Sequence, residues 1–306
     1  MYSFQLTKSF LGIDMGTHSL KIAECQRAGE RITLLNYEIV RFPRGKGPEG
    51  QLDFEEQSAF LQATLKKMGL KSGEVVSEVG GPWTVARHLF LPDMPDEEMR
   101  EAIRWGPKAD FPFALDEALI DFLKLEVMTN QDGEAEAEIV SAVATREVVE
   151  KKIQLLRESR LKPLFLSLPP FSLLQVYRYT QPSPWMETAV ILDLGCKSTQ
   201  IVILKEGKLK FSREIAVAGD FFTQSLVGAF EVHGQMVEID EDTAEKIKIQ
   251  ADLGAEAESE PMLMGLPKEL IQKRLTAVAD RLRRPLVSQV AALTTGFSGA
   301  DLANLV

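Results

Sequence analysis

The 306-residue chain carries 35 Lys+Arg against 45 Asp+Glu, a net charge of −10 at pH 7, and is 45% hydrophobic and 26% charged. That is enough chain for two or more domains with real cores, and an acid excess without a dense basic patch argues against nucleic acid as the main partner. Cys25 and Cys196 have no CxxC spacing and no His/Cys cluster around them, so the pattern excludes a disulfide framework or zinc site and predicts two small strand residues in a reducing compartment.

In chain order, residues 1–10 are too short and too polar for a signal peptide, and no apolar run approaches the length that crosses a bilayer. The expectation is a cytoplasmic protein. Leu11-Gly12-Ile13-Asp14-Met15-Gly16-Thr17-His18-Ser19-Leu20-Lys21 follows: an apolar run closed by an Asp, a Gly two residues on, hydroxyl residues, then a second apolar run to Cys25. This is the pattern of a β-hairpin whose tip offers backbone N–H groups, two hydroxyls and a carboxylate, a combination that cradles phosphate and holds Mg²⁺ directly or through water. Residues 31–42 read as a third strand with Ile32, Leu34, Tyr37 and Ile39 among its apolar positions, residues 43–50 as a Gly/Pro loop, and residues 55–68 as a helix with Phe60, Leu61, Leu65 and Met68 on its core face. Residues 75–79 form a short strand before the Gly80-Gly81-Pro82 turn.

A new unit is expected near Leu91-Pro92. Asp96 can cap a helix over 97–105 stopped by Gly106-Pro107, strands follow at 119–127 and 139–144, and Thr145 caps a helix to Ser159 with Val148, Val149, Ile153 and Leu156 inward. Residues 164–168 return to strand, Pro170 starts a helix carrying Phe171, Leu174 and Tyr177, and Gln181-Pro182-Ser183-Pro184 reads as a linker. Beyond it the first pattern recurs: in Ile191-Leu192-Asp193-Leu194-Gly195-Cys196-Lys197-Ser198-Thr199, Asp193 matches Asp14, Gly195 matches Gly16, and Ser198 matches Ser19. Two related halves are implied. Two facing carboxylates are unfavourable unless a cation sits between them, and a divalent metal carrying a polyphosphate meets that need. A strand at 208–217, a helix at 221–230, a His233-Gly234 turn, a helix placing Glu245 and Lys248 on one face, an acidic loop at 255–260 and an amphipathic helix over 268–284 complete the chain. His18, His88 and His233 are far apart and are assigned to neither metal nor catalysis.

With both hairpins in view, the sequence resembles the actin-like ATPase superfamily and, within it, the PilM family of type IV pilus assembly proteins. Residues 12–21 resemble the first phosphate loop and residues 193–199 the second. Phe211-Ser212-Arg213 with Gly219 and Thr223 is similar to the strand and helix start that follow, and Ala244-Glu245-Lys246-Ile247-Lys248 resembles the motif whose Glu and Lys approach the adenosine. Leu91-Pro92-Asp93-Met94 through Phe111-Pro112-Phe113 and Asp121 resembles the inserted subdomain shared with the division protein FtsA. Thr294-Thr295-Gly296-Phe297-Ser298-Gly299 is similar to the family's adenosine loop after a shortened segment. The chain departs from the family at Gly219-Asp220, where Gly-Gly is usual, and at Gly106-Pro107, where Glu-Ala is usual.

The resemblance implies an α/β, actin-like (ribonuclease H-like) duplicated fold with an inserted small α+β subdomain. Its parts are a first half at 1–91 plus 164–186, the insertion at 92–163, a second half at 187–218 plus 286–306, and a nucleotide-side subdomain at 219–285. It implies ATP and Mg²⁺ as ligands: Asp14 and Asp193 for the metal, and Gly16, Thr17, His18, Ser19, Gly195, Lys197, Ser198 and Thr199 for phosphate, with Gly219 and Gly296 also lining the nucleotide. Lys21 reads equally as a phosphate ligand or a solvated strand residue. Glu245 and Lys248 read as ribose or base contacts or as an exposed helical ion pair. Gln175 is the only candidate for positioning a water, and a lone Gln is a weak signal. The implied function is an ATP-binding scaffold of the type IV pilus inner-membrane complex that binds the N-terminal cytoplasmic tail of PilN, with other pilus inner-membrane or motor proteins and self-association as further partners, peripheral to the membrane through them. Hydrolysis is expected to be weak or absent. A sugar-kinase-type ATPase or phosphotransferase and an FtsA-like filament former are the alternatives.

Overall fold

The computed structural model describes residues 9–29, 31–47, 51–70, 73–106, 111–181, 188–251 and 262–294. Most of the expected linker, the acidic stretch at 255–260 and Gly296 lie outside the described residues. Leu11 and Ile13 alternate with Gly12 and Asp14, so β1 (Ser9–Met15) buries one face, and β2 (Ser19–Ala28) answers it with Leu20 and Ile22. β3 (Arg31–Arg41) is the edge strand beyond β2. Its Ile32, Leu34, Tyr37 and Ile39 are all exposed. α1 (Phe54–Lys67) opens with a capping box, in which the Asp53 side chain accepts from Glu56 N–H and the Glu56 side chain accepts from Asp53 N–H. It sets Leu61 and Leu65 against the β1–β2 face.

β4 (Gly73–Glu78) pairs parallel with β1, after which the chain leaves this sheet. It runs through β5 (Thr84–Pro92), α2 (Asp96–Trp105), β6 (Ala118–Thr129), β7 (Ala135–Thr145) and α3 (Arg146–Glu158). It returns as β8 (Leu161–Ser167), parallel to β4, and continues into α4 (Pro169–Thr180). The first sheet has the order β3-β2-β1-β4-β8 and the inserted sheet the order β5-β7-β6. The inserted sheet takes in Thr84–Pro92, upstream of the start expected at Leu91-Pro92. Residues 84–92 lack clean alternation because both faces of β5 are used: Ala86 packs in one core, Leu89 and Leu91 against another. Asp96 is the first helical residue of α2 rather than its cap.

After β9 (Thr188–Leu194), β10 (Thr199–Lys205) and β11 (Lys208–Ile215) form a three-stranded sheet, order β11-β10-β9, in which β10 is buried from Thr199 to Leu204. α5 (Gly219–Leu226) is shorter than the helix expected over 221–230. The chain turns at Gly228, φ +133°, and Phe230 enters a strand instead. β12 (Gly228–Val232) and β13 (Gln235–Ile239) pair across the His233-Gly234 turn, whose residues have φ 51° and 77°. α6 (Glu241–Gln250), β14 (Met262–Leu263), β15 (Leu266–Pro267) and α7 (Lys268–Thr294) follow, closing a core of Leu226, Phe230, Ile247, Leu266, Ile271 and Leu275. The chain divides into two compact units, Met1–Leu192 with Gln200–Glu214, and Asp193–Thr199 with Ile215–Val306.

Within the first unit, Glu138 on β7 is only 2% exposed. His88 Nε2–H on β5 donates to Glu138 Oε1 (2.7 Å), Lys208 Nζ on β11 donates to Oε2 (3.2 Å), and Lys210 Nζ donates to Oε1 as well. Burial pushes this carboxyl up, but the hydrogen bonds from Lys210, His88 and Lys208 outweigh it and bring it down to about 2. Burial in turn pushes His88 down, so it stands neutral at pH 7. The cluster ties the inserted sheet to β11. Because the carboxyl falls from its ordinary 4.5 to about 2 on folding, its contribution is complete above pH 4.5 and is lost as pH drops through about 2. The difference is worth about 3 kcal/mol. Urea titrations should therefore show Glu138→Gln less stable than wild type at pH 7. The gap should narrow as the pH is lowered from 5 toward 3, because wild type alone loses the charged cluster.

Candidate functional site

Each repeat ends in the same closed turn. Gly16 N–H donates to Ser19 O at 3.1 Å in the first, and Gly195 N–H donates to Ser198 O at 3.0 Å in the second. Two residues cross each tip, Thr17-His18 and Cys196-Lys197, and a tip of that length leaves its own N–H groups outside the strand ladder. The second turn can be closed only by glycine, since a Cβ at Gly195 would stand 2.9 Å from Ser198 O. At Gly16 the corresponding approach, to Ser19 O, is 3.5 Å.

The first turn is fixed from both sides. Phe42 N–H donates to His18 O (2.9 Å), and the buried Ser77 hydroxyl donates to Ile13 O (2.6 Å), one residue before Asp14. Asp14 faces Lys21 across the β1–β2 ladder, and Lys21 Nζ donates to Asp14 Oδ2 at 2.5 Å. The lysine whose role was open from sequence thus neutralises the carboxylate expected to meet Mg²⁺. Asp14 belongs to the first compact unit and Asp193 to the second, where Asp193 is exposed near the end of β9.

In the second unit, Gly219 N–H at the start of α5 donates to Gly195 O (3.0 Å) and Asp220 N–H to Cys196 O (2.8 Å). The helix start is thereby bonded to the loop it follows in the sequence pattern. A Cβ at Gly219 would meet Gly195 O at 3.1 Å. Thr199, expected to offer a hydroxyl to phosphate, is 1% exposed and donates to Val217 O at 2.6 Å, so its hydroxyl is already engaged within the fold. Glu245 and Lys248 form an ion pair at 2.6 Å, and it is not an exposed one: Glu245 is 8% exposed. Thr223 Oγ1 donates to Glu245 Oε2 (2.6 Å) and accepts from Lys248 Nζ (3.0 Å), so one hydroxyl joins α5 to both charges of α6. Sequence reasoning placed Thr223 in the helix start without this role. The available signal was its spacing, one helical turn after Gly219 on the same face. Gln175 lies exposed in the middle of α4.

Taken unit by unit, each glycine-closed tip carries a carboxylate two residues before its glycine, a donor set whose chemistry suits phosphate with a hard cation. Among the described residues no group of three or more His, Cys, Asp or Glu side chains lies together. A metal here would take most of its ligands from phosphate and water, as Mg²⁺ does.

The paired hairpins and their sheets define an actin-like ATPase fold. MreB5 of Spiroplasma citri, solved with AMPPNP and with ADP, shares that fold at 13% identity and a TM-score of 0.54, over 98% of this chain and 82% of that one. The PilM–PilN type IV pilus biogenesis complex matches at a TM-score of 0.71 and 23% identity, over 94% of this chain and 78% of that one. The sequence matches the family described as type IV pilus assembly protein PilM over residues 12–277, and the chain belongs to that family.

The tight contact between Gly219 and Gly195 O makes a direct test. Gly219→Ala should lower stability by about 1–3 kcal/mol through overpacking, read as a fall in the thermal midpoint, while Asp220→Ala, which keeps the backbone bonds, should leave the midpoint nearly unchanged.

Proposed function

We propose that this protein is an ATP-binding scaffold of the type IV pilus inner-membrane assembly complex, recruited by the N-terminal cytoplasmic tail of PilN. The observation that carries the nucleotide half is the repeated closed turn, Gly16 to Ser19 and Gly195 to Ser198, each following an aspartate at the end of a strand. In this reading Gly16, Thr17, His18 and Ser19 with Gly195, Lys197 and Ser198 give phosphate its donors, Asp14 and Asp193 hold Mg²⁺ directly or through water, and Gly219, Glu245 and Lys248 serve the nucleoside. Bound Mg²⁺ neutralises phosphate charge. Lys21, bonded to Asp14 Oδ2, would be the side chain nearest that carboxylate available to phosphate if Asp14 held the metal. The crystallised complexes of MreB5 with AMPPNP and ADP support the ligand class.

Partner recruitment rests on the family and on the inserted sheet. Among the described residues no helix is long and apolar enough to cross a membrane, so a partner or another segment must supply any attachment. β6 is an edge strand, and Leu123 and Val127 on it are 52% and 47% exposed. An extended peptide added along such an edge gains backbone pairing and side-chain pockets, and the PilM–PilN complex shows that a relative pairs with PilN.

Two measurements test the two halves. Asp14→Ala and Asp193→Ala should each weaken Mg·ATP binding at least tenfold, about 1.4 kcal/mol, without lowering the unfolding midpoint below the range of other surface variants. Unchanged affinity in both would remove the paired-carboxylate reading. Titration of a PilN N-terminal peptide should give saturable binding that survives moderate salt, and Leu123→Glu with Val127→Glu should weaken it at least tenfold. Full binding by that folded double variant would put the peptide elsewhere.

A further inference from the structure

The crossover helix α3 carries one residue that its position does not explain. Its inward stripe runs Val148/Val149, Lys152/Ile153, Leu155/Leu156, Ser159: Val149 packs with one core cluster, and Leu156, fully buried, packs with Leu11, Ile13, Leu20 and Ile22. Lys152 stands one turn before Leu156 on that stripe, where an apolar residue belongs. Its side chain is half-buried, and it makes neither a hydrogen bond nor an ion pair with any described residue.

Topology fixes which end of the sheet it faces. β1, β4 and β8 are parallel, and α3 ends at Glu158 immediately before β8 starts at Leu161, level with Gly73 of β4. α3 therefore runs antiparallel to the strands, and its earlier turns climb toward their carboxyl ends. Four residues of helix rise about 6 Å above Leu156, carrying Lys152 toward the ends of β1 and β4, where Asp14 and Glu78 lie. Both carboxylates act on the amine through space, opposing the downward push that burial gives it. In open α/β sheets this is the end that takes ligands. A cation without a bonded partner there costs stability, and an incoming anion is the group that compensates it.

We propose that Lys152 is the residue of the first unit that contacts the terminal phosphate of the bound nucleotide, and so distinguishes ATP from ADP. The inference rests on the nucleotide reading above and adds a specificity determinant to it. Lys21, already bonded to Asp14, serves the turn itself. Lys152 approaches from the helix side and adds charge only where a third phosphate extends.

The test compares wild type, Lys152→Met, Lys152→Arg and Asp14→Ala for Mg·ATP and Mg·ADP affinity by calorimetry, with nucleotide-free thermal unfolding alongside. Lys152→Met should weaken Mg·ATP at least tenfold and leave Mg·ADP within about threefold. Lys152→Arg should stay within about threefold for both, and Asp14→Ala should weaken both. Without nucleotide, Lys152→Met should unfold about 2 °C or more above wild type, because a half-buried charge has been replaced by a methionine of similar length. Equal losses for ATP and ADP in Lys152→Met, no loss for either, or a drop in its nucleotide-free midpoint would each overturn the assignment and leave nucleotide binding standing. Failure of wild type to bind either nucleotide would instead defeat the earlier reading and this one with it.

Discussion

The bond from a glycine N–H to a serine carbonyl across a two-residue tip is the constraint from which the site grows. It fixes where each carboxylate sits relative to the tip, because only one residue separates Asp14 from Gly16 and Asp193 from Gly195. It also fixes what can follow. In the second repeat the carbonyl of Gly195 becomes the acceptor for Gly219 at the start of α5, and the hydroxyl of Thr223 one turn later joins both charges of α6. A side chain at Gly195 or Gly219 would press on a carbonyl that is already bonded, so tip, helix start and ion pair stand or fall together. In the first repeat the same closure is supported differently, by Ser77 from β4 and Phe42 from the end of β3. The two turns are alike while their supports are not.

How much of this could be seen in the sequence follows from what each signal depends on. Both hairpins were legible because a strand, a carboxylate, a glycine and a hydroxyl recur at fixed spacing, and their closure is local. α1, α3 and α4 were legible from periodicity. β5 was not, since a strand packed on both faces has no alternation to show, and β13 was missed because it is only five residues long, Gln235–Ile239, with Met236 and Val237 adjacent rather than alternating. The end of α5 turned on the backbone of Gly228, at a φ that side chains avoid. At the site, spacing gave the Glu245–Lys248 pair but not its burial, and chemistry suggested a phosphate role for Thr199 that the structure directs to Val217 instead. The Glu138 cluster joins residues 50 to 72 positions apart, which no short-range pattern reveals.

Two inward-facing ionisable side chains described in the first unit, Glu138 and Lys152, show how stability and function separate. Glu138 is deeply buried yet receives three donors, so its charge is held in place and helps bind the inserted sheet to β11. Lys152 lies on a helix face that otherwise builds the core, has no bonded partner, and only feels carboxylates at a distance. A fold under selection for stability alone would place leucine or methionine there. The first charge is compensated within the chain, and the second is left for something outside it. The same contrast separates the two lysines near Asp14. Lys21 is paired and must exchange its partner to meet phosphate, so its electrostatic gain on binding is the difference between two anions. Lys152 has no bond to give up, and its gain is the whole interaction. Of the two, the unpaired lysine on α3 can therefore contribute more to choosing among ligands that differ by one phosphate.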